Sequence, residues 1–181
     1  MLTYIALFRG INVGGKNVVP MRALKTLLEN LGLQQVRTYI QSGNVVFQSQ
    51  EEEPSQLSAN IGTAVEKSYG FAPKVLVLGV EALEQAVAAN PFKEAEAEPK
   101  SLHVGFLDSV PLSPDLEKLE SIRKNNERFA LLGKLFYLHA PDGIGRSKLA
   151  ANAERLLGVP MTDRNWRTVT KIMAMVIETD R

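Results

Sequence analysis

The apolar positions of the chain predict short strands separated by amphipathic helices. The first apolar run, Leu2–Phe8, is rich in strand-forming residues and ends at a loop punctuated by glycines, Gly10–Val19. Beyond Pro20, apolar residues recur at three- and four-residue spacing as far as Leu31, and this spacing predicts a helix that Gly32 ends. The chain therefore opens with a strand, a glycine-rich loop and a helix.

The elements that follow give the first half the order of a ferredoxin-like fold. They are two strands joined by a tight turn, a second helix and a final strand, predicted over Val36–Ile40, Asn44–Phe47, Pro54–Tyr69 and Lys74–Leu78. The turn is Gln41-Ser42-Gly43. The resulting order β-α-β-β-α-β is the split βαβ arrangement. We predict that this half forms a domain over residues 1–79.

The second half, residues 80–181, repeats much of this order. After a short helix near 81–89 and an acidic connection, the pattern predicts a strand, a helix capped by Ser113, a hairpin and two more helices. The predicted bounds are Leu102–Leu107 for the strand, Phe129–Leu132 and Leu135–His139 for the hairpin, and Ser147–Leu157 and Asn165–Glu178 for the last helices. No final strand is evident. The predicted fold class is therefore α+β, with two consecutive ferredoxin-like halves, the second incomplete and extended by C-terminal helices.

The predicted fold brings one loop and one turn together. In a ferredoxin-like sheet the first two strands are parallel and the third is antiparallel to both, so the loop after strand one lies at the same end as the hairpin turn. Cationic side chains, backbone amides and polar side chains then meet, and we predict a site for an anionic ligand there. Its members are Arg9, Gly10, Asn12, Gly14, Gly15, Lys16, Asn17, Gln41, Ser42, Gly43 and Asn44.

The loop also matches most of a Walker A motif, Gly10-x4-Gly15-Lys16. Two departures argue against a nucleoside-triphosphatase. Asn17 replaces the hydroxyl residue that binds magnesium, and Pro20 places the helix start several residues late. Two interpretations remain open: a looser anion-binding loop in which Arg9 and Lys16 supply charge, or glycines that only allow a tight turn.

Strand one is apolar on both faces. Tyr4 and Phe8 lie on one face, and Ile5 and Leu7 on the other. This pattern predicts burial on both faces, against the second half or in an oligomer. It disfavours RNA binding on the sheet, because that mode needs an open aromatic face.

Basic residues stand near the predicted starts of the last two helices. A cation in that position opposes the helix dipole, at a cost of about 0.3 kcal/mol when exposed. These side chains either collect an anion or extend into solvent and pair with acidic residues. The predicted secondary basic site comprises Arg146, Ser147, Lys148, Arg164 and Asn165. Binding to nucleic-acid phosphates would also use Arg167 and Lys171.

Charge is unevenly distributed, although the 181 residues carry a net charge of only +1. Residues 1–50 have a net charge of +4, residues 51–120 of −8 and residues 121–181 of +5. Basic ends around an acidic middle suit an anionic ligand or simply a solvated surface. Because the chain has no cysteine, disulfides and thiol nucleophiles are excluded. The chain has neither a long apolar run nor a signal-like start, so we expect a cytoplasmic protein without membrane contact.

Patterns typical of metal binding and catalysis are missing from the sequence. The two histidines, His103 and His139, lie on predicted neighbouring strands where their rings could approach, but no further ligand spacing accompanies them. We predict two structural histidines and no metal site. No general base or nucleophile set is identifiable, so the sequence assigns neither a reaction nor a cofactor.

Several motifs resemble the bacterial family called domain of unknown function 1697. They are Arg9-Gly10-Ile11-Asn12-Val13-Gly14-Gly15-Lys16-Asn17, Tyr39-Ile40-Gln41-Ser42-Gly43-Asn44-Val45, Asn90-Pro91-Phe92, Ser147-Lys148-Leu149 and Arg164-Asn165-Trp166. The resemblance covers essentially the whole chain and implies a cytoplasmic α+β protein of two plait-like halves. It implies no established activity. Asp163 and Arg167 depart from the pattern of the family.

These observations support three hypotheses about function. The leading one is a protein that binds an anionic small molecule, a nucleotide or another phosphorylated metabolite, at the glycine-rich loop. The second is a nucleic-acid-associated protein that uses the C-terminal basic residues, for which affinity would fall steeply with salt. The third is a structural or oligomer-forming module whose apolar sheet faces pair.

Overall fold

Residues 1–180 are described in the computed structural model, and their strands form two four-stranded antiparallel sheets. The first sheet comprises β1 (Leu2–Arg9), β2 (Gln34–Tyr39), β3 (Asn44–Ser49) and β4 (Lys74–Gly79), in the spatial order β2-β3-β1-β4. Helix α1 (Met21–Asn30) connects β1 to β2, and α2 (Pro54–Tyr69) connects β3 to β4. Strand order and antiparallel pairing are those of a ferredoxin-like sheet.

The second sheet repeats this topology. It comprises β5 (Leu102–Leu107), β6 (Arg128–Leu132), β7 (Leu135–His139) and β8 (Met161–Asn165), in the order β6-β7-β5-β8. Helices α4 (Leu116–Ile122) and α5 (Lys148–Leu157) occupy the two connections within it. Helix α3 (Val80–Ala88) and a short 3₁₀ helix (Lys93–Ala97) precede the sheet, and α6 (Trp166–Thr179) follows it. The predicted α+β fold of two ferredoxin-like halves is confirmed.

The second half is complete, so the prediction that it lacks a final strand was wrong. The missing strand is β8, in which Thr162, Asp163, Arg164 and Asn165 give no apolar alternation. It forms because it pairs antiparallel with β5 along its whole length, and Thr162 becomes buried. Tertiary pairing thus supplies what the sequence pattern does not show.

Helix α4 also begins later than its sequence predicts. Its first residue is Leu116, and the Asp115 carboxylate accepts a hydrogen bond from the Lys118 backbone N–H at 3.0 Å. Ser113 is therefore not the cap of this helix. Aspartate and serine are almost equally good at this position, so the sequence alone does not separate them.

The chain divides into two compact units. One contains Met1–Gln85 together with the C-terminal residues from Lys171, and the other contains Ala86–Thr170. The predicted division after residue 79 placed all of α6 in the second half. In the structure the last part of this helix packs within the first unit.

Strand β1 is buried on both faces, as its apolar pattern predicts. Tyr4, Ala6 and Phe8 belong to the core formed with α1 and α2, whereas Ile5 and Leu7 are buried on the opposite face. On that opposite face, the Thr3 hydroxyl donates a hydrogen bond to the Asp180 carboxylate at 2.6 Å. Arg37, on the same face, donates to the Glu178 carboxylate and to the Met175 carbonyl. The C-terminal part of α6 therefore lies on this face.

Candidate functional site

The glycine-rich loop folds into a small hairpin. The backbone N–H of Lys16 donates to the Val13 carbonyl at 3.0 Å, and that of Asn12 donates to the Asn17 carbonyl at 3.0 Å. Gly14 and Gly15 form the tip with φ values of +57° and +72°, which suit the two central positions of a type I′ turn. The loop is thus a finger that projects from the sheet, and it does not lead directly into a helix as a Walker A loop does.

The side chain of Asn12 fastens this finger to the neighbouring turn. Its Nδ2 donates to the Gln41 carbonyl and to the Val19 carbonyl, each at 2.9 Å, while its Oδ1 accepts from the Val19 N–H at 2.7 Å. Phe8 N–H donates to the Gly43 carbonyl at 2.8 Å. The structure therefore brings together the loop and the turn that the predicted topology placed at one end of the sheet.

The space beneath the finger and the turn is filled by apolar side chains. Ile11 is only 1% exposed and packs in the core with Phe8. A Cβ atom at Gly43 would lie 2.6 Å from both Ile11 Cδ1 and Phe8 Cβ, so no larger residue fits at position 43 without a shift. A ligand at this end of the sheet would consequently lie on the outer surface of the two segments.

We call that outer surface, formed by residues 13–18 and 40–42, the rim. Lys16, Gln41 and Ser42 are exposed on it, and so are the glycines of the hairpin tip. Three aliphatic residues are also exposed there: Val13, Val18 and Ile40, with exposed fractions of 64%, 58% and 48%. The rim thus combines a cation, polar groups and an apolar surface.

Left-handed backbone conformations concentrate at the rim and its base. Ile40 has φ +50°, Asn12 has φ +54° and Asn17 has φ +51°. Asparagine tolerates this region, but a β-branched isoleucine is strained there by about 1–2 kcal/mol. The carbonyls of its two neighbours, Tyr39 and Gln41, accept hydrogen bonds from Asn44 and Asn12, while the Ile40 side chain remains half exposed. Strain of this kind collects at functional sites.

Three predicted ligand donors are occupied by the protein itself. Besides Asn12, the Asn17 amide donates to the Gly10 carbonyl at 3.0 Å. Asn44 is fully buried, and its amide donates to the Tyr39 carbonyl and to Ser42 Oγ. These asparagines shape the loop and the turn. Asn17 is nevertheless exposed, and so are the other predicted members Arg9, Gly10, Gly14, Gly15, Lys16, Gln41 and Ser42.

The predicted secondary basic site contains two structural caps. Ser147 Oγ accepts from the Ala150 N–H at 3.0 Å at the start of α5, and Asn165 Oδ1 accepts from the Thr168 N–H at 2.9 Å at the start of α6. Arg164 donates to the Asp163 carbonyl, and burial lowers its pKa to about 10. Arg146 and Lys148 are exposed. Of the predicted basic site, only Arg146 and Lys148 are therefore exposed cations.

The two histidines lie on opposite faces of the second sheet, so their rings do not approach. In the register of β5 and β7, His103 is opposite Leu138, whereas His139 is opposite Leu102. His103 Nδ1 lies 2.8 Å from an Asp163 carboxylate oxygen, and the His139 ring accepts from Arg128. Within residues 1–180, no group of three side chains is arranged to hold a metal ion.

The pKa values of the two imidazoles are shifted in opposite directions. Burial alone would lower the pKa of His103, but the hydrogen bond and charge of Asp163, with the Lys100 carbonyl, raise it above the ordinary value. For His139, burial and the neighbouring Arg128 charge lower the pKa. The two rings are therefore expected to titrate at different pH values.

Two cavities were not predicted from the sequence. One, of about 620 Å³, lies in the first unit with Leu33, Leu57 and Ile61 among its lining residues. The other, of about 490 Å³, lies in the second unit and is lined in part by Lys100 and Arg167. Each lining comes from several separate segments, so no linear motif marks either cavity.

Comparison with known proteins gives a family but no activity. The model of the family DUF1697, described as a protein of unknown function, matches residues 1–137. A conserved bacterial protein from Streptococcus pneumoniae has a similar solved structure, with 28% sequence identity and a TM-score of 0.71. That similarity covers 97% of this chain and 98% of the other. No curated protein matches the chain. Among residues 1–180, no helix is long and apolar enough to cross a membrane.

Proposed function

We propose that this chain, which belongs to the protein family of unknown function DUF1697, binds an anionic small molecule on the rim. The ligand class is a nucleotide or another phosphorylated metabolite. The observation that carries the proposal is the strained and half-exposed Ile40, in the turn that Asn12 joins to the loop with the exposed Lys16 and the glycine tip. Strained backbone conformations cluster at ligand-binding sites, which supports a binding role for this turn.

The charged part of the ligand would meet Lys16 and the hairpin tip. Lys16 is exposed and forms no ion pair with any of the residues 1–180. The hydrogen bonds that close the hairpin use the amides of Asn12 and Lys16, so they leave the amides of Gly14 and Gly15 available to an acceptor. Backbone amides beside a lysine are a common arrangement for phosphate oxygens. Arg9 adds positive charge at the end of β1.

The apolar part of the rim favours a ligand with a ring over a bare phosphate ion. Val13 and Val18 expose aliphatic side chains on the same loop as Lys16, and Ile40 exposes one on the turn that Asn12 joins to this loop. A nucleobase or a similar flat group would remove that surface from water, at about 25 cal/mol for each Å² buried. We also propose a cytoplasmic location, because nucleotides and phosphorylated metabolites are concentrated there.

A titration of the purified protein with ADP, AMP, adenosine and inorganic phosphate tests the proposal. We expect the nucleotides to bind and to stabilise the fold, by about 2.7 kcal/mol when their concentration is a hundredfold above Kd. Lys16→Ala should raise Kd about tenfold, since a hydrogen bond to a charged group contributes about 1.5 kcal/mol or more. Calorimetric titration measures Kd, and thermal unfolding with and without the nucleotide measures the stabilisation.

Lys25→Ala is the matched control, because Lys25 is an exposed lysine of α1 that pairs with Glu29. Its Kd should equal that of the parent protein. The proposal fails if none of the four compounds binds, or if Lys16→Ala and Lys25→Ala change affinity equally. Binding of oligonucleotides with a steep salt dependence, unaffected by Lys16→Ala, would favour a nucleic-acid-associated protein instead.

A further inference from the structure

We propose a second anion site, in the unit formed by residues 86–170, that takes a phosphoryl group carried on a compact apolar body. The site is the cavity of about 490 Å³ lined by Lys100 and Arg167. Three segments surround it: the turn before β5, the loop after β7 and the first turn of α6. It shares no residue with the rim and does not depend on ligand binding there.

The charge of the cavity is suited to a dianion. Lys100 and Arg167 are both exposed, and neither forms an ion pair with any residue that the structure describes. Glu98 is the one carboxylate in the lining. A phosphate monoester carries nearly two negative charges at neutral pH, and arginine binds such groups through two parallel hydrogen bonds. Two cations therefore match the charge of a ligand's phosphoryl group better than that of a ligand's single carboxylate.

The walls of the cavity are fixed before any ligand arrives. On one side, the Ser101 N–H and hydroxyl both bind the Glu98 carbonyl, at 2.9 and 2.7 Å. On the other side, the Ala140 N–H donates to the Ser101 carbonyl at 2.8 Å, and the Gly143 N–H donates to the Ala140 carbonyl at 2.9 Å. This chain of bonds ties the two segments together. Binding to such a site would require little ordering of the backbone.

The remaining lining favours a ligand with an apolar part. Pro99 and Pro141 line the cavity as rigid rings without an N–H donor, and the Ser101 hydroxyl is already bonded. A flat or compact apolar group could pack against these rings while its phosphoryl group meets the two cations. The ligand class is therefore a small phosphate monoester with an apolar body.

The position of Arg167 gives independent support. It is the second residue of α6, where a cation opposes the positive end of the helix dipole. Nothing among the described residues compensates for this charge with an ion pair. A bound anion would supply the opposite charge that Arg167 lacks, while Asn165 already caps the helix.

Phenyl phosphate, inorganic phosphate and phenol are the probes for this site. By calorimetric titration, phenyl phosphate should bind more tightly than inorganic phosphate, and phenol should not bind. Arg167→Gln and Lys100→Gln should each weaken phenyl phosphate about tenfold or more. Lys171→Gln, which changes an exposed lysine of the same helix outside the cavity, should leave Kd unchanged.

Backbone amide shifts in a heteronuclear NMR spectrum then locate the bound probe. We expect the largest changes at Ser101, Gly143 and Arg167, and expect them to persist in Lys16→Ala. The inference is overturned if no probe binds, if the shifts map only to the rim, or if Lys171→Gln weakens binding as much as Arg167→Gln. Tighter binding of oligonucleotides, with affinity that falls over several phosphate contacts as salt rises, would also overturn it in favour of nucleic acid.

Discussion

Gly43 shows how one residue connects the core to the rim. Its carbonyl accepts from Phe8, its φ is +82°, and the place of a side chain is already taken by Ile11 and Phe8. Glycine is required here for two reasons, backbone conformation and space. The sequence shows the glycine but not the second reason, because Ile11 is distant in the chain and only the folded packing brings it close.

The two reasons can be separated by substitution. Gly43→Ala should lower the free energy of unfolding by about 2–4 kcal/mol, since it adds a steric conflict to a left-handed conformation. Gly14→Ala is the control: its φ is also positive, at +57°, but nothing lies within 4 Å of the added atom. It should cost only about 1 kcal/mol. Urea unfolding measures both, and equal losses would show that space is not limiting at Gly43.

Ile40 provides a second prediction at the scale of one residue. Ile40→Asn should leave the free energy of unfolding unchanged or raise it by up to about 1 kcal/mol, because asparagine tolerates the left-handed region. Ile144→Asn is the control, since Ile144 is similarly exposed, at 38%, and is not among the residues with positive φ. That variant should lose stability. If both variants lose stability equally in urea unfolding, Ile40 is not strained.

At the scale of elements, the sequence predicts where α5 and α6 begin but not what the polar residues at their starts do. The caps of α5 and α6 were predictable as helix starts, but Ser147 and Asn165 were also assigned to a binding site. A polar residue before a helix can cap the helix or contact a ligand, and only its hydrogen bond in the structure distinguishes the two roles. Strand β8 was missed because its sequence is polar and its partner β5 is nearly sixty residues away.

The start of α4 offers a test at this scale. Asp115→Ala should lower the free energy of unfolding by about 1 kcal/mol, because it removes the hydrogen bond to the Lys118 N–H. Ser113→Ala should leave stability unchanged, since Ser113 is exposed and lies outside the helix. Urea unfolding of the two variants compares the two candidate caps directly. A larger loss for Ser113→Ala would contradict the observed cap.

For the whole molecule, one contact recurs in both sheets. The Leu107 N–H donates to the Lys134 carbonyl at 2.9 Å, in the same place where the Phe8 N–H donates to Gly43 in the first sheet. The fold could be predicted because both halves show the same order of elements, with turn residues at corresponding places. The surfaces above the two contacts differ. The loop after β5 exposes Leu112 almost completely, at 96%, where the first half has its glycine finger and Lys16.

Stability of the whole chain should depend on pH through its two histidines in opposite directions. Because Asp163 raises the pKa of His103 in the folded state, its contribution is present below about pH 6.5 and is lost as pH rises through the folded pKa. Because burial and Arg128 lower the pKa of His139, its effect is the reverse, and stability is lost as pH falls below about 6.5.

An NMR titration of the two histidine ring signals measures these shifts. The His103 signal should titrate at higher pH than the His139 signal. Asp163→Asn should move the His103 pKa downward, because burial then acts without the neighbouring carboxylate, and should leave His139 unchanged. Coincident titrations, or the reverse order, would contradict the effect assigned to Asp163.

The position of α6 has a consequence for how the chain folds while it is being translated. Residues of the first sheet leave the ribosome first, yet the partners of Thr3 and Arg37, Asp180 and Glu178, follow them by 177 and 141 residues in the chain. The face that carries Ile5 and Leu7 therefore stays uncovered by α6 until this helix has been translated. During that interval the nascent chain exposes an apolar surface that is prone to aggregation, of the kind that chaperones bind.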